Sequence, residues 1–277
     1  MGLGGYLMWT AVARELCNKL PGEIKVLPFE GQAPAYMKII KSEIFENNPS
    51  FFQGDMNENI TVFPLQLNNP NTNYCKQDTP IQAVHRHDKH VIEQICETYG
   101  IQNPKLKCEL FLTDQECLVG ESLKKKLRRF IVIEPHSKMD YTVNRSYPFD
   151  KWQSIVNQLK DEIDFIQIGL EAKGLRNVID MRGKTTFREA AGIIANAELF
   201  VSSEGGLTHC ANAVNTKAVV IITGYQSPDM ICYPENININ ISSHGPCGMK
   251  IQCMECHDDA KNHDEANIVR AIREELG

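Results

Sequence analysis

Residues 202 to 209 carry the densest chemistry in the chain: Ser202, Ser203, Glu204, Gly205, Gly206 and, one turn on, His209. The segment before them, Leu199 to Ser202, is short and apolar like a buried strand. After them Leu207, Cys210, Ala211 and Val214 recur at helical spacing. A strand, a glycine turn and a helix start aim backbone N–H groups at one point, which suits a phosphate. Glycines let a ligand approach the backbone closely. Glu204 falls at the strand's carboxyl end, where open α/β sheets place their ligands. An ordinary strand-to-helix turn has the same local pattern, so both readings stand, and His209 either reaches the site or packs on the sheet.

Three other groups have reactive side chains. His85, His87 and His90 lie within six residues, with Asp88 between them. Their spacing is wrong for a two-histidine metal site on one helical face. It suits a solvated helix start, or a general base at His85, His87 or Asp88, since imidazole titrates near neutrality. Cys247, Cys253 and Cys256, with His257, form a second group. The Cys-x-x-Cys spacing leaves structural zinc, reduced thiols and a disulfide all open. Lys124, Lys125, Lys126, Arg128 and Arg129 form a third group before an apolar run. A solvated helix face and contact with an anionic membrane or phosphorylated glycolipid both fit it.

The elements that must hold these groups are legible in outline. A glycine turn at Gly4–Gly5 leads into a helix that Pro21-Gly22 stops, and Ile24 to Phe29 reads as a strand. Met37 to Phe45 has a helical pattern, Asn59 to Leu67 alternates as a strand, and Asn68 to Thr79 reads as a loop. The His85–His90 run opens a helix that ends at Gly100, and Leu106 to Leu112 is a strand candidate. From Phe130 onward strands and helices alternate: strands at 130–134, 165–168, 178–181, 199–202 and 218–223, and helices after Pro148, after Thr186 and after Gly206. Thr186 and Glu189 form a capping box. Such alternation predicts a parallel sheet wrapped by helices.

At 277 residues the chain has room for two domains. We place them at 1–122 and 123–265, with an amphipathic helix at 266–277. A net charge of −6 argues against a nucleic-acid binder. Ten scattered cysteines, no secretory pattern and no bilayer-length apolar run predict a reducing, cytoplasmic setting.

Ser203-Glu-Gly-Gly-Leu-Thr-His-Cys-Ala211 resembles the Asp-(Ser/Thr)-Gly-(Pro/Leu)-x-His-x-Ala signature of glycosyltransferase family 9, the heptosyltransferases. Further phrases resemble the family in order. They are Phe45-Glu-Asn-Asn-Pro49, Arg145-Ser-Tyr-Pro-Phe-Asp-Lys-Trp152 and Met181-Arg-Gly-Lys-Thr-Thr-Phe-Arg-Glu-Ala-Ala191. The resemblance implies a GT-B-like α/β fold, two Rossmann-like domains with parallel sheets facing a cleft. It implies an inverting, metal-independent transfer of heptose or a similar sugar from a nucleotide diphosphate to a lipopolysaccharide-type or other glycolipid acceptor. No cofactor is required by that scheme. It implies a cytoplasmic enzyme, with peripheral contact at the inner membrane as an alternative, and no nucleic-acid partner. Donor contacts are implied for Arg145, Glu204, Gly205, Gly206, Leu207, His209, His136 and Lys184, with Ser137, Lys138 and Thr185 of lower rank.

Two departures from the family pattern matter. Family members carry a strand before the glycine turn, and residues for it do not precede Gly2 in this sequence, so either the strand is absent or the start is truncated. The family's general-base aspartate aligns with Gly5, which cannot take a proton. Two alternatives follow: a catalytically weakened nucleotide-sugar-binding protein, and a GT-B-like nucleotide-sugar epimerase. The C-terminal helix in such folds often crosses back to the first domain.

Overall fold

The computed structural model describes residues 2–31, 36–54, 60–69, 71–72, 76–136, 140–170 and 173–277. Helix α1 (Leu3–Lys19) leads into β1 (Glu23–Glu30), β2 (Lys38–Ile39) and β3 (Ile60–Gln66). These form a three-stranded sheet of order β2-β1-β3, parallel between β1 and β3. A hairpin of β4 (Lys76–Asp78) and β5 (Ala83–His85) precedes α2 (Val91–Thr98) and α3 (Asp114–Leu127).

The second half is a regular β/α alternation. Its strands are β6 (Phe130–Glu134), β7 (Asp164–Gln167), β8 (Ile179–Asp180), β9 (Leu199–Ser203), β10 (Ala218–Ile222) and β11 (Ile237–Asn240). Its helices are α4 (Phe149–Leu159), α5 (Phe187–Ala195), α6 (Gly206–Ala213), α7 (Pro228–Ile231), α8 (Met254–Asn262) and α9 (Ala266–Leu276). The six strands are all parallel, in the order β11-β10-β9-β6-β7-β8. Sequence order runs one way from β6 through β7 and β8, and the other way from β9 through β11. The reversal between β6 and β9 opens a crevice at the strands' carboxyl ends.

Burial follows from this wrapping. Every residue of β6, β9 and β10 is buried, as parallel strands covered on both faces must be. Ile131, Ile133, Val219 and Ile221 face α4 and α9, meeting Trp152, Ile155, Ile268 and Ile272. Val132, Phe200, Val220 and Ile222 face the other way, into a core shared with Leu7, Val12 and Leu16 of α1. Helix α1 therefore joins the two halves, lying directly against α6.

Several local expectations need correction. Gly4 and Gly5 lie inside α1 and make no turn. The span 37–45 forms β2 and a short 3-10 helix at Glu43–Phe45, capped by Ser42, where a longer helix was expected. The expected loop at 68–79 contains β4. His85 ends a strand, and the helix begins only at Val91, because the His90 side chain accepts from Ile92 N–H while Glu93 reaches back to His90 N–H. Residues 106–112 form no strand. Their backbone is satisfied by side chains: Asn212 Oδ1 accepts from Cys108 N–H at 2.7 Å, and Thr10 Oγ1 accepts from Glu109 N–H at 2.8 Å. Residue 122 lies within α3, whose last turn holds Lys124, Lys125 and Lys126. Cations at a helix C-terminus complement its dipole. Helix α9 packs on α4 and β10 of its own half.

Candidate functional site

The crevice between β6 and β9 is flanked by two buried carboxylates. Glu204 follows β9 and is 2% exposed; burial pushes its carboxyl up to about 7, with nearby Arg145 opposing. Glu134 ends β6, and burial pushes it up to about 8. Its Oε1 accepts from His136 N–H at 2.9 Å. Gly169, at φ +110°, permits the chain to pass Glu134, because a Cβ there would lie 2.7 Å from the Glu134 carboxyl carbon. Sequence reasoning missed Glu134. A carboxylate closing a wholly apolar strand, just before a proline, was the available signal.

Arg145 reaches the same place from the segment before α4. Its Nη2 donates to Gln226 Oε1 at 2.8 Å, and its guanidinium lies 4.6 Å from the centre of the Tyr225 ring. Its Nε stands 3.4 Å from Glu204 Oε1. Neither Glu204 oxygen nor the Arg145 Nε has a hydrogen-bond partner among the described residues. A buried, unpartnered carboxylate beside a half-buried guanidinium is costly, and such perturbed groups cluster at functional sites. Tyr225 and Gln226 were also missed; they follow Thr223 and Gly224 past the carboxyl end of β10, the neighbour of β9.

Two helix N-termini meet at this edge. Helix α6 begins at Gly206 with Gly205 as its N-cap, and α1 begins at Leu3 with Gly2 as its N-cap. Neither has a side-chain cap. They touch: a Cβ on Gly4 would meet Gly206 Cα at 3.1 Å, and a Cβ on Gly206 would meet Gly4 N at 3.3 Å. Uncapped N–H groups at two converging positive dipole ends favour an anion.

The remaining candidates divide. His209 packs inward: Tyr233 Oη lies 2.7 Å from its Nδ1, and burial pushes its imidazole down to about 3. His136 stacks on Phe149 at 5.5 Å, with its Nε2 2.7 Å from the Lys173 carbonyl. Lys184 is exposed beside β8, two strands from β6, and donates to the Asp180 carbonyl at 2.6 Å. Ser137 and Lys138 lie outside the described residues. His85 is buried with its ring 6.4 Å from that of Tyr225, and His87 lies 6.1 Å from His85. The hairpin thus reaches the Arg145 platform. His87 Nδ1 is 3.2 Å from Ser227 Oγ, and burial lowers its pKa. Asp88 is held in an exposed ion pair with Arg86 at 2.6 Å, which lowers its pKa.

The three thiols of Cys247, Cys253 and Cys256 converge, their sulfurs all within 4.8 Å of one another. His257 is exposed and stands outside this group. Among the described residues no helix is long and apolar enough to cross a membrane.

A family model for glycosyltransferase family 9 (heptosyltransferase) matches residues 77–262, more than half of the chain. The chain belongs to glycosyltransferase family 9. The fold agrees with solved structures. A family 9 glycosyltransferase from Veillonella parvula superposes with TM-score 0.64 at 10% identity, covering 100% of this chain and 94% of that one. The E. coli ADP-heptose lipopolysaccharide heptosyltransferase II gives TM-score 0.65 at 13% identity, covering 99% and 96%. The iron-containing heptosyltransferase TibC of enterotoxigenic E. coli, solved with ADP-D-β-D-heptose, gives 0.53 at 15%, covering 78% and 63%. No curated protein matches the sequence. As a family 9 member the chain is a glycosyltransferase of GT-B architecture, with the heptosyltransferases as its structural neighbours.

Proposed function

We propose that this glycosyltransferase transfers heptose, or a closely related sugar, from an ADP-type donor to a lipopolysaccharide-core or other glycolipid acceptor, with inversion at the anomeric carbon. The carrying observation is the meeting of the α1 and α6 N-termini, with Arg145 Nε 3.4 Å from Glu204, the residue before the α6 N-cap. That edge suits a diphosphate: the N–H groups of Gly205, Gly206 and Leu207 and the Arg145 guanidinium would take the charge that grows on the leaving group. Glu204, with both oxygens unpartnered, would accept hydrogen bonds from sugar hydroxyls. An acceptor oxygen attacks the anomeric carbon from the opposite face, the bond to the diphosphate breaks, and a base takes the acceptor proton.

The base in this reading is His87. Gly5 has no acidic side chain, and Asp88 is engaged by Arg86. His87 is half-buried with a lowered pKa, so its imidazole is neutral at pH 7 and able to take a proton. Arginine in place of lysine as phosphate holder keeps the charge and adds a fork of donors. No step in this scheme calls for a cofactor.

Calorimetric titration with ADP, GDP, UDP and CDP, and with their sugar conjugates, tests the donor. Preferential binding of the adenine series supports the reading. No binding by any of them, in a folded sample, overturns it. Donor turnover without an acceptor would favour an epimerase, and donor binding without any turnover would favour a weakened binding protein.

A further inference from the structure

The loop from Gly245 to Cys253 touches three parts of the candidate site's frame. On one side it pairs with the β4–β5 hairpin: Ala83 N–H donates to the Gly248 carbonyl at 2.8 Å, and Lys250 N–H to the Ile81 carbonyl at 2.8 Å. On a second side it meets the turn after β10. Cys247 N–H donates to the Gly224 carbonyl at 2.8 Å, and Gly248 N–H to the Tyr225 carbonyl at 3.1 Å. On a third side Asn144, the neighbour of Arg145, donates through Nδ2 to the Met249 and Ile251 carbonyls and accepts at Oδ1 from Cys253 N–H at 2.8 Å. So one loop holds the strand that bears His85, the turn that bears Tyr225, and the residue next to Arg145.

Its fourth side is made of sulfur. Cys247 lies in the loop, Cys253 caps α8, and Cys256 lies in the first turn of that helix. All three are free thiols, and their sulfurs lie within 4.8 Å of one another. Zinc–thiolate bonds of about 2.3 Å in a tetrahedral site put sulfurs about 3.8 Å apart. The observed cluster therefore needs at most a contraction of about 1 Å, within the reach of side-chain rotation. Three thiols in one place serve no packing purpose that smaller or apolar side chains would not. Cys256 is also buried against Gly224, where a Cβ would stand 2.8 Å from its sulfur, so bulk is kept off the cluster.

We infer that Cys247, Cys253 and Cys256 bind one divalent metal ion of the zinc class, which clasps the 245–253 loop to α8 and so fixes the β4–β5 hairpin against the Arg145 platform. Binding replaces three S–H bonds with three metal–sulfur bonds and releases three protons to solvent. Three protein ligands leave one tetrahedral position for a water molecule. The ion has a positional role. It takes no part in the transfer chemistry, and the site stands whether or not the donor is ADP-heptose.

The test uses the full chain, purified without chelator or affinity tag and under reducing conditions. Elemental analysis is expected to find about one zinc per chain. Cys253→Ser and Cys256→Ser should each reduce it more than tenfold, while Cys17→Ser, in α1, should retain it. Ferrous iron at the same stoichiometry, lost in the same variants, would uphold the site equally. Because a cysteine variant can misfold, wild-type protein stripped by a chelator is titrated anaerobically with Co(II). A thiolate-to-cobalt charge-transfer band saturating at one equivalent supports the site. Hydrogen exchange at residues 81–85 should rise at least several-fold on stripping and recover on zinc addition. The inference is overturned if reduced wild-type protein takes up neither zinc nor cobalt, or if bound metal survives the cysteine substitutions. Unchanged exchange at 81–85 on stripping would overturn the clasp.

Discussion

Arg145 Nε stands 3.4 Å from Glu204 Oε1, within ion-pair range, yet no hydrogen bond joins them. The guanidinium is held by Gln226 and the Tyr225 ring, while its buried Nε has no hydrogen-bond partner among the described residues. A pair built only for stability would close into a bidentate contact. Arg145→Ala is therefore expected to weaken nucleoside-diphosphate binding by roughly 10- to 100-fold, the worth of one charge-assisted contact. Arg145→Lys should fall between. Calorimetry measures both, and unchanged affinity in Arg145→Ala would remove Arg145 from the donor site.

The buried carboxylates predict an unusual pH dependence of stability. Glu134 and Glu204 are raised to about 8 and about 7. A raised carboxyl keeps its proton in the folded state after the unfolded chain has lost it, so stability falls as pH rises toward the folded value. His90 and His209 are lowered to about 4 and about 3, so their contribution rises with pH up to the unfolded imidazole value near 6.5. Below about pH 6.5 the two pairs oppose each other. Between pH 6.5 and 8 the two carboxylates together lower stability by about 2 to 3 kcal/mol, opposed by Cys247, whose thiol is held down by hydrogen bonds from Cys256 and Cys253 and so adds stability as pH rises. Glu134→Gln should remove most of that drop. Urea unfolding of wild type and variant at a series of pH values measures it: the variant should gain on the wild type between pH 6.5 and 8, and parallel curves would show that Glu134 ionises freely.

Gly4 gives a test with an inverted sign. Glycine to alanine inside a helix ordinarily stabilises by about 1 kcal/mol. At Gly4 a Cβ would stand 2.7 Å from His209 Cδ2 and 3.1 Å from Gly206 Cα, both on the helix start it packs against. Gly4→Ala is expected to destabilise by about 1 to 3 kcal/mol and to weaken donor binding, because α1 must withdraw from α6. Gly2→Ala, with open space around its Cβ, is the control. Thermal unfolding and nucleotide titration of both variants decide it.

The second half was readable in the sequence because its signals are local. Apolar runs of four to six residues, the Thr186–Glu189 capping box and the glycine-marked start of α6 each lie within one element. In the first half α1, β1, β3 and α2 were readable for the same reason, but the segments between them were not, because partners far along the chain fix them. Residues 106–112 look like a strand, yet their backbone partners are the side chains of Thr10 and Asn212. The histidine run looks like a helix start until Lys76–Asp78 pairs with Ala83–His85. The site shows the same division. Glu204 and Arg145 stood out through motif, whereas Glu134, Tyr225 and Gln226 matter only because the reversal between β6 and β9 brings three strand ends together. Arg188 is the extreme case. It lies inside a readable helix phrase, but its buried guanidinium binds Glu116 and the carbonyls of Glu43 and Phe111.

His87 carries the last prediction. The family resemblance aligns Gly5 with the base aspartate, so the proposed transfer draws its base from another residue. His87→Ala should lower kcat for transfer by about 100- to 10,000-fold, the usual contribution of a general base. Donor affinity should change less than threefold, because the diphosphate edge at α6 and Arg145 is untouched. The pH profile separates a base from a packing residue. Wild-type kcat/KM should rise through an apparent pKa below the usual imidazole value, since burial lowers that of His87. The variant's residual rate should lack that limb. His85→Ala is the companion measurement: His85 is buried against the Tyr225 ring, so its loss should cost donor affinity together with rate. A His87→Ala enzyme with wild-type kcat and an unaltered pH profile would exclude His87 and leave the acceptor proton to a group outside the hairpin.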